Sequence, residues 1–407
     1  EAARCLLCHD APCSQSCPAN TNPAKFIRSI RFRNIKGAVE TIREANILGG
    51  SCARVCPYDR LCEEACSRCG IDKPIEIGRL QQFAIDYEKI MGMEVLSAPE
   101  QSKAKVGIIG SGPAGLAAAT SLVQKGYAVT IFDDKEKAGG VLSYGIVPSR
   151  LPQEIVDYEV GLVKKLGVEF KLNCTIGKDT TISELEAEGF ESFVLAMGLQ
   201  CPKILDINGN KLSGVTNAVD FLAKAKSSTG DIEIPDNVIV IGGGDVAMDC
   251  ATTAKLLGSK KVSIVYRRTF EEMPANKAEV HHTSELGVNI FYGFTPKEII
   301  GTDKVDSISF NGFVDDSNLT LKADMVVFAI GQVAYDPKKL ANVTISLDNK
   351  NLIIANDETC ETNIENIFAA GDIVNGGKTV VEAVAAGKLA ADSVDKYLTS
   401  LSMEGVK

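Results

Sequence analysis

A buried strand running into a glycine loop occurs twice in this 407-residue chain, and that repeat constrains the fold more than any other feature. Val106-Gly-Ile-Ile-Gly110 is the first copy and Val238-Ile-Val-Ile-Gly242 the second. Each is followed by a later apolar strand that ends on a glycine: Ser192-Phe-Val-Leu-Ala-Met-Gly198 and Met325-Val-Val-Phe-Ala-Ile-Gly331. Gly198 lies 88 residues beyond Gly110, and Gly331 lies 89 beyond Gly242. Buried strands alternating with helices are the mark of a doubly wound parallel sheet, so the pattern predicts two dinucleotide-binding units in an α/β fold. No third loop of this type follows Gly331, but Asn366-Ile-Phe-Ala-Ala-Gly-Asp372 reads as one more buried strand. The simplest arrangement inserts the second unit into the first, with the C-terminal segment returning to complete the first.

The chemistry of the first loop follows from Gly110-Ser111-Gly112-Pro113-Ala114-Gly115. Gly110 permits the tight turn, Gly112 lets backbone approach a pyrophosphate, and Gly115 lets helix and strand pack closely. The helix that opens there presents unpaired N–H groups and a positive dipole end to the phosphates. The next strand, Ala128-Val-Thr-Ile-Phe132, ends at Asp133, where a carboxylate would accept bonds from a ribose hydroxyl. Gly371 and Asp372, with Thr379 opening a helix, are placed for the ribityl and phosphate groups of FAD, and Gly140 and Val141 complete the flavin candidates.

The second loop, Gly242-Gly243-Gly244-Asp245-Val246-Ala247, carries Ala at the third position, which the pattern allows. With Ile330 and Gly331 it forms the candidate NAD(P)H site. Its following strand ends on Tyr266-Arg267-Arg268, two guanidinium groups suited to bidentate bonds with a 2′-phosphate. That favours NADPH. NADH stands as the alternative, because Glu271 and Glu272 follow closely and an acid here can select it.

Nine of the 13 cysteines crowd between Cys5 and Cys69: Cys5, Cys8, Cys13, Cys17 before a proline, then Cys52, Cys56 before a proline, Cys62, Cys66 and Cys69. A secreted disulfide framework more typically sits in a short chain and leaves no odd cysteine. A compact thiol cluster on an otherwise cysteine-poor chain reads better as metal ligation, and nine thiols suffice for two 4Fe–4S clusters. One or two zinc sites are the alternative, and would give a non-enzymatic scaffold. The same N-terminal segment shows helical spacing from Pro23 to Ala45, with Phe26, Ile30, Ala38 and Ile42 on one face, and a polar stretch from Ser97 to Lys103 reads as a linker. The expected domains are therefore a helical iron–sulfur domain over 1–95, an FAD domain over 96–215 and 330–407, and an NAD(P)H domain over 216–329.

A net charge of −10 argues against nucleic acid or an anionic membrane as a general partner. No run of about 18 apolar residues is present to span a bilayer. A cytoplasmic setting is expected from the thiol content. Because the sequence opens on Glu1 rather than Met, further residues are expected upstream, and a cleaved leader is compatible with it.

Taken in order, Arg4-Cys-Leu-Leu-Cys-His-Asp-Ala-Pro-Cys-Ser-Gln-Ser-Cys-Pro18, Gly242-Gly-Gly-Asp-Val-Ala-Met-Asp249 and Ala370-Gly-Asp-Ile-Val374 resemble the flavin subunit of bacterial dihydropyrimidine dehydrogenase. They also resemble the N-terminal half of the larger eukaryotic enzyme, and the glutamate synthase small subunit is a close cousin. The resemblance covers nearly the whole chain. It implies interleaved clusters, one on Cys5, Cys8, Cys13 and Cys66, the other on Cys17, Cys56, Cys62 and the amide oxygen of Gln81. Glutamate synthase small subunits look as if they use an acid at the Gln81 position, which tilts the choice toward the pyrimidine enzyme. Cys52 and Cys69 are left without a ligand role. Arg150 matches an FAD-contacting arginine, whereas a third arginine of the eukaryotic 2′-phosphate site has no match between Arg268 and Pro274.

These parts imply an electron-input flavoprotein in a hetero-oligomer. Hydride passes from NAD(P)H to FAD, single electrons pass to the clusters, and a partner subunit with FMN and further clusters reduces uracil or thymine to the 5,6-dihydropyrimidine. No acid or nucleophile for an organic substrate stands out, so no catalytic side chain is assigned. A glutamate synthase small subunit, with a different partner, is the rival reading. A thioredoxin-reductase-like enzyme would need a Cys-x-x-Cys pair, and residues 104–407 contain none.

Overall fold

The computed structural model describes residues 1–227, 233–313, 316–334 and 344–404. It divides into two compact units: one built from 1–143, 150–200 and 334–407, the other from 144–149 and 201–333. The second is thus an insertion in the first, as the order of the two glycine loops requires.

After a single turn of helix at Pro12–Gln15, the first unit carries four longer helices, α1 (Pro23–Arg31), α2 (Ile35–Ala45), α3 (Gly49–Val55) and α4 (Ile77–Met91). The single helical pattern from Pro23 to Ala45 is two helices. Arg33 takes a left-handed φ of 60°, and Asn34 caps α2 by accepting from the Gly37 N–H at 2.9 Å. A local side-chain bond at the cap outcompetes continuation of the helix. Phe26, Ile27, Ala38, Val39, Ile42, Leu80, Ala84 and Ile85 pack into one core, against which Cys5, Cys13, Cys62 and Cys66 rest half-buried.

After the linker comes a five-stranded parallel sheet. Its strands are β1 (Lys105–Ile109), β2 (Ala128–Phe132), β3 (Glu169–Lys171), β4 (Phe190–Leu195) and the returning segment Ile367–Ala369. The order is Ile367–Ala369, β4, β1, β2, β3. Helix α5 (Pro113–Gln124) follows β1, α6 (Gln153–Lys165) precedes β3, and a 25-residue helix, Val380–Glu404, ends the described chain. That last helix lies close against α5: a Cβ on Gly387 would meet Ala114 O at 2.1 Å.

The second unit repeats the plan. Its parallel strands are β5 (Val215–Asn217), β6 (Asn237–Ile241), β7 (Lys261–Tyr266), β8 (Asn289–Tyr292) and β12 (Met325–Phe328), in the order β5, β12, β6, β7, β8. An antiparallel sheet of β9 (Phe294–Gly301), β10 (Val305–Gly312) and β11 (Asn318–Lys322) fills the crossover between β8 and β12. Helix α7 (Asp245–Leu256) is the counterpart of α5.

Candidate functional site

The residues singled out above gather at several places in the molecule. The first is the thiol region of the first unit. Arg4 donates to Lys73 O at 2.7 Å and pairs with Asp72, Arg68 donates back to Arg4 O at 2.8 Å, and Cys8 Sγ lies 3.4 Å from Ser67 Oγ. These bonds staple the N-terminus to the 66–73 turn and bring Cys5 and Cys8 to Cys66 across some sixty positions of sequence. Burial, then the charges of Cys66, Cys5 and Cys8, push the Cys13 thiol up to about 11. A thiol whose ionisation is opposed in this way calls for a positive group beside it.

A second set surrounds a cavity lined by Cys17, Cys56, Cys62 and Gln81, together with Asn46, Cys52, Tyr58 and Val381. A hydrogen bond with Cys52, then burial, then nearby Cys62 and Cys17, raises the Cys56 thiol well above the ordinary value. Burial, then Glu63 and Cys17, takes Cys62 up to about 12. Gln81 donates its amide nitrogen to Gly49 O at 2.7 Å, which leaves its carbonyl Oε1 as the polar atom available to the cavity. No three His, Cys, Asp or Glu side chains among the described residues converge closely enough to hold a single metal ion.

The two spare cysteines have other duties. Asn46 donates to Cys52 Sγ at 3.2 Å, and Cys69 Sγ donates toward Glu63 O and Glu64 O at 3.4 and 3.6 Å.

What holds Gln81 was not anticipated. Arg43, Glu88 and Glu159 form a buried triad, with Arg43 Nη1 2.7 Å from Glu159 Oε1 and Arg43 Nη2 2.8 Å from Glu88 Oε2. Arg43 Nη1 also donates to Ile47 O. Burial works against the Arg43 charge, and Glu159 and Glu88 outweigh it, holding the guanidinium above its ordinary pKa. Glu159 further accepts from Gly50 N at 2.6 Å, Ser51 N at 3.0 Å and Ser51 Oγ at 2.6 Å, satisfying the open N–H groups of α3. It thereby anchors the first turn of α3, whose Gly49 carbonyl orients Gln81.

The remaining residues lie at two glycine loops, one in each unit, each taken by itself. In the first unit a Cβ on Gly115 would sit 2.0 Å from Gly110 O, so the turn and helix touch backbone to backbone. Asp133 is buried under the loop: Oδ2 accepts from Ser111 N at 2.7 Å and Ser111 Oγ at 2.6 Å, and Oδ1 from Lys135 N at 2.9 Å. The expected ribose acceptor is therefore also the brace of the loop. Gly140, at φ 55°, comes within van der Waals reach of Gly112, and Val141 beside it is exposed. Gly371, at φ 80°, faces Ala114, so the returning segment meets the start of α5. Asp372 accepts from Lys378 N at 3.2 Å, and burial raises its pKa. Thr379 caps the last helix through Glu382 at 2.6 Å. Arg150 is half-buried and engaged at the approach to α6.

In the second unit Gly242 lies under Ala329 O, and the Tyr266 ring covers Gly243. Gly244 caps α7, and Asp245 accepts from Asn276 N at 2.8 Å, tying the loop to the next helix rather than pointing free. Val246 and Gly331 are exposed and Ile330 half-buried. Arg267 and Arg268 are exposed, and Glu272 accepts from Thr269 N at 3.2 Å.

Comparison with known proteins decides among the readings this geometry allows. Residues 1–93 match the family described as dihydropyrimidine dehydrogenase domain II, 4Fe-4S cluster, and 104–387 match pyridine nucleotide-disulphide oxidoreductase. The NAD-dependent dihydropyrimidine dehydrogenase subunit PreT of Escherichia coli K12 is 46% identical, over 98% of this chain and 93% of its own. The chain belongs to that family of dehydrogenase subunits. A PreT homolog of Salmonella typhi is likewise 46% identical, over 98% of this chain and 94% of that one. The glutamate synthase (NADPH) small chain of Escherichia coli K12 is 32% identical over 98% and 91%. Among solved structures, Mycobacterium tuberculosis FprA in complex with NADPH superposes with a TM-score of 0.63 at 18% identity, over 74% of this chain and 86% of that one, a likeness of fold alone. This family member is an NAD(P)H-dependent oxidoreductase with FAD and 4Fe–4S chemistry, and it serves as an electron-input subunit. No described helix is long and apolar enough to cross a membrane.

Proposed function

We propose that the first unit holds FAD and two 4Fe–4S clusters, and that the inserted unit takes NADH. The clusters rest on Cys5, Cys8, Cys13 and Cys66, and on Cys17, Cys56, Cys62 and Gln81. In this reading a separate subunit, with FMN and further clusters, receives the electrons and reduces uracil or thymine in the cytoplasm. When bound, FAD takes an electron pair as hydride and releases it singly to the clusters.

One observation carries the reading: Cys17, Cys56, Cys62 and Gln81 line one cavity whose wall includes Val381. Val381 lies two residues beyond Thr379, on the helix that follows Gly371 and Asp372. The candidate flavin segment and one thiol set therefore share an element. Gly110 to Gly115 cradle the pyrophosphate, Ser111 and Asp133 fix the loop, and Gly140, Val141, Arg150, Asp372 and Thr379 complete the flavin's surroundings. Gly243, Gly244, Asp245, Val246, Ile330 and Gly331 serve the nicotinamide nucleotide, with Arg267 and Arg268 at its ribose end. NADH is preferred to NADPH here because the relatives at 46% identity are named NAD-dependent. Anaerobically prepared protein should contain one flavin and about eight irons, as two clusters require. Zinc in place of iron would refute it.

A further inference from the structure

We propose that Lys388 is a positioning residue for electron transfer, whose ammonium seats the Cys17 segment and raises the reduction potential of the cluster bound there. This rests on the assignment of Cys17, Cys56, Cys62 and Gln81 to one cluster.

Lys388 projects from the C-terminal helix and donates to Ala19 O at 2.9 Å and to Ala45 O at 2.8 Å. Ala19 follows Cys17-Pro18, and Ala45 precedes Asn46, the residue that donates to Cys52 on the cavity wall. One ammonium thus fastens two pieces of the thiol segment to the helix that also supplies Val381. Its neighbour Gly387 packs on Ala114 O at the start of α5, so one turn of helix touches the candidate flavin loop and the cluster segment together.

The charge is the second half of the argument. Both hydrogen-bond partners of Lys388 are neutral carbonyls, and no carboxylate among the described residues lies within ion-pair distance of it. Asp392, one turn further on, is taken by Lys125 at 2.8 Å. A half-buried cation without a salt bridge keeps most of its field for its surroundings. Burial lowers its pKa, and its bond to Ala19 O sets the ammonium two residues along the chain from Cys17. Reduction adds a negative charge to a cluster. A fixed cation nearby favours that state, and local charge is among the determinants of cluster potential.

The test uses Lys388→Gln, which can still donate hydrogen bonds but carries no charge, and Lys388→Arg, which keeps the charge. Iron content is measured first, and each cluster is then titrated potentiometrically with detection by electron paramagnetic resonance. In Lys388→Gln one cluster should become about tenfold harder to reduce at a fixed potential, a shift of about 59 mV for one electron. The second cluster should be unmoved, and Lys388→Arg should match the parent protein. Selective loss of four irons in the Gln variant, with all retained in the Arg variant, would also support the role. Unchanged potentials in both variants, or equal loss of iron in both, would overturn it. A parent protein holding fewer than eight irons would instead refute the cluster assignment on which the inference rests.

Discussion

The two nucleotide units share one sheet order yet treat their glycine loops differently. Under the first loop a buried carboxylate, Asp133, takes three hydrogen bonds, and the C-terminal helix packs across the start of α5. Beside the second loop the strand ends on exposed Arg267 and Arg268, and Val246 faces solvent. Burial and bracing suit a cofactor that stays; exposure suits a nucleotide that comes and goes. On the proposed assignment, the same fold serves residence in one copy and exchange in the other.

The largest effect should come from removing the brace. Asp133→Ala strips a charged acceptor from three donors, each bond of that kind being worth about 1.5–3 kcal/mol. Flavin content of the purified protein should fall by more than about tenfold, read from absorbance after gel filtration. Full flavin occupancy in this variant would erase the contrast between the units.

The buried triad comes next. Glu159→Gln leaves Arg43 short of a partner in the interior, and breaking such a pair costs about 3–5 kcal/mol. A fall of several degrees in Tm should appear together with loss of iron from the set that includes Gln81. Iron loss without the fall in Tm would mean that Glu159 acts on the ligand geometry alone.

A swap at the third loop position sharpens the comparison. Gly115→Ala puts a Cβ 2.0 Å from Gly110 O and should destabilise by about 1–3 kcal/mol or more. The reciprocal Ala247→Gly, in a helix that already accepts a methyl, should cost only about 1 kcal/mol. Equal costs in thermal melts would mean that the two turns are interchangeable.

The repeat, the insertion and the crowding of thiols between Cys5 and Cys69 were legible in the sequence, because glycine loops and cysteine density are local signals. The triad was less so. Arg43 lies beside Ile42 and Val39, Glu88 beside Ala84 and Ile85, and Glu159 beside Ile155 and Val160, each charge inside the apolar stripe of its helix. That is a signal, but only the folded chain says which three such charges meet. Lys388 left no trace of this kind, since lysine on a surface helix is ordinary. The pairing of Asp133 with Ser111, rather than with a ligand alone, also needed the turn geometry.

The smallest effect concerns nucleotide choice. Replacing Arg267 and Arg268 by Gln should leave flavin content intact and change KM for NADH by less than about threefold, since neither arginine is buried. Any residual use of NADPH should weaken further, by about 1.5–3 kcal/mol in kcat/KM if a phosphate contact is lost. A parent enzyme that prefers NADPH would reverse the proposed choice of donor.

The central claim, that electrons enter at the flavin and leave through the N-terminal thiol region, is tested most directly with Cys62→Ser, its cluster loss verified by iron content. NADH oxidation by a dye that draws on the flavin should continue near the parent rate. Pyrimidine reduction in the presence of the partner subunit should vanish, because the route from flavin to partner is cut. Undiminished pyrimidine reduction by that variant would contradict the account.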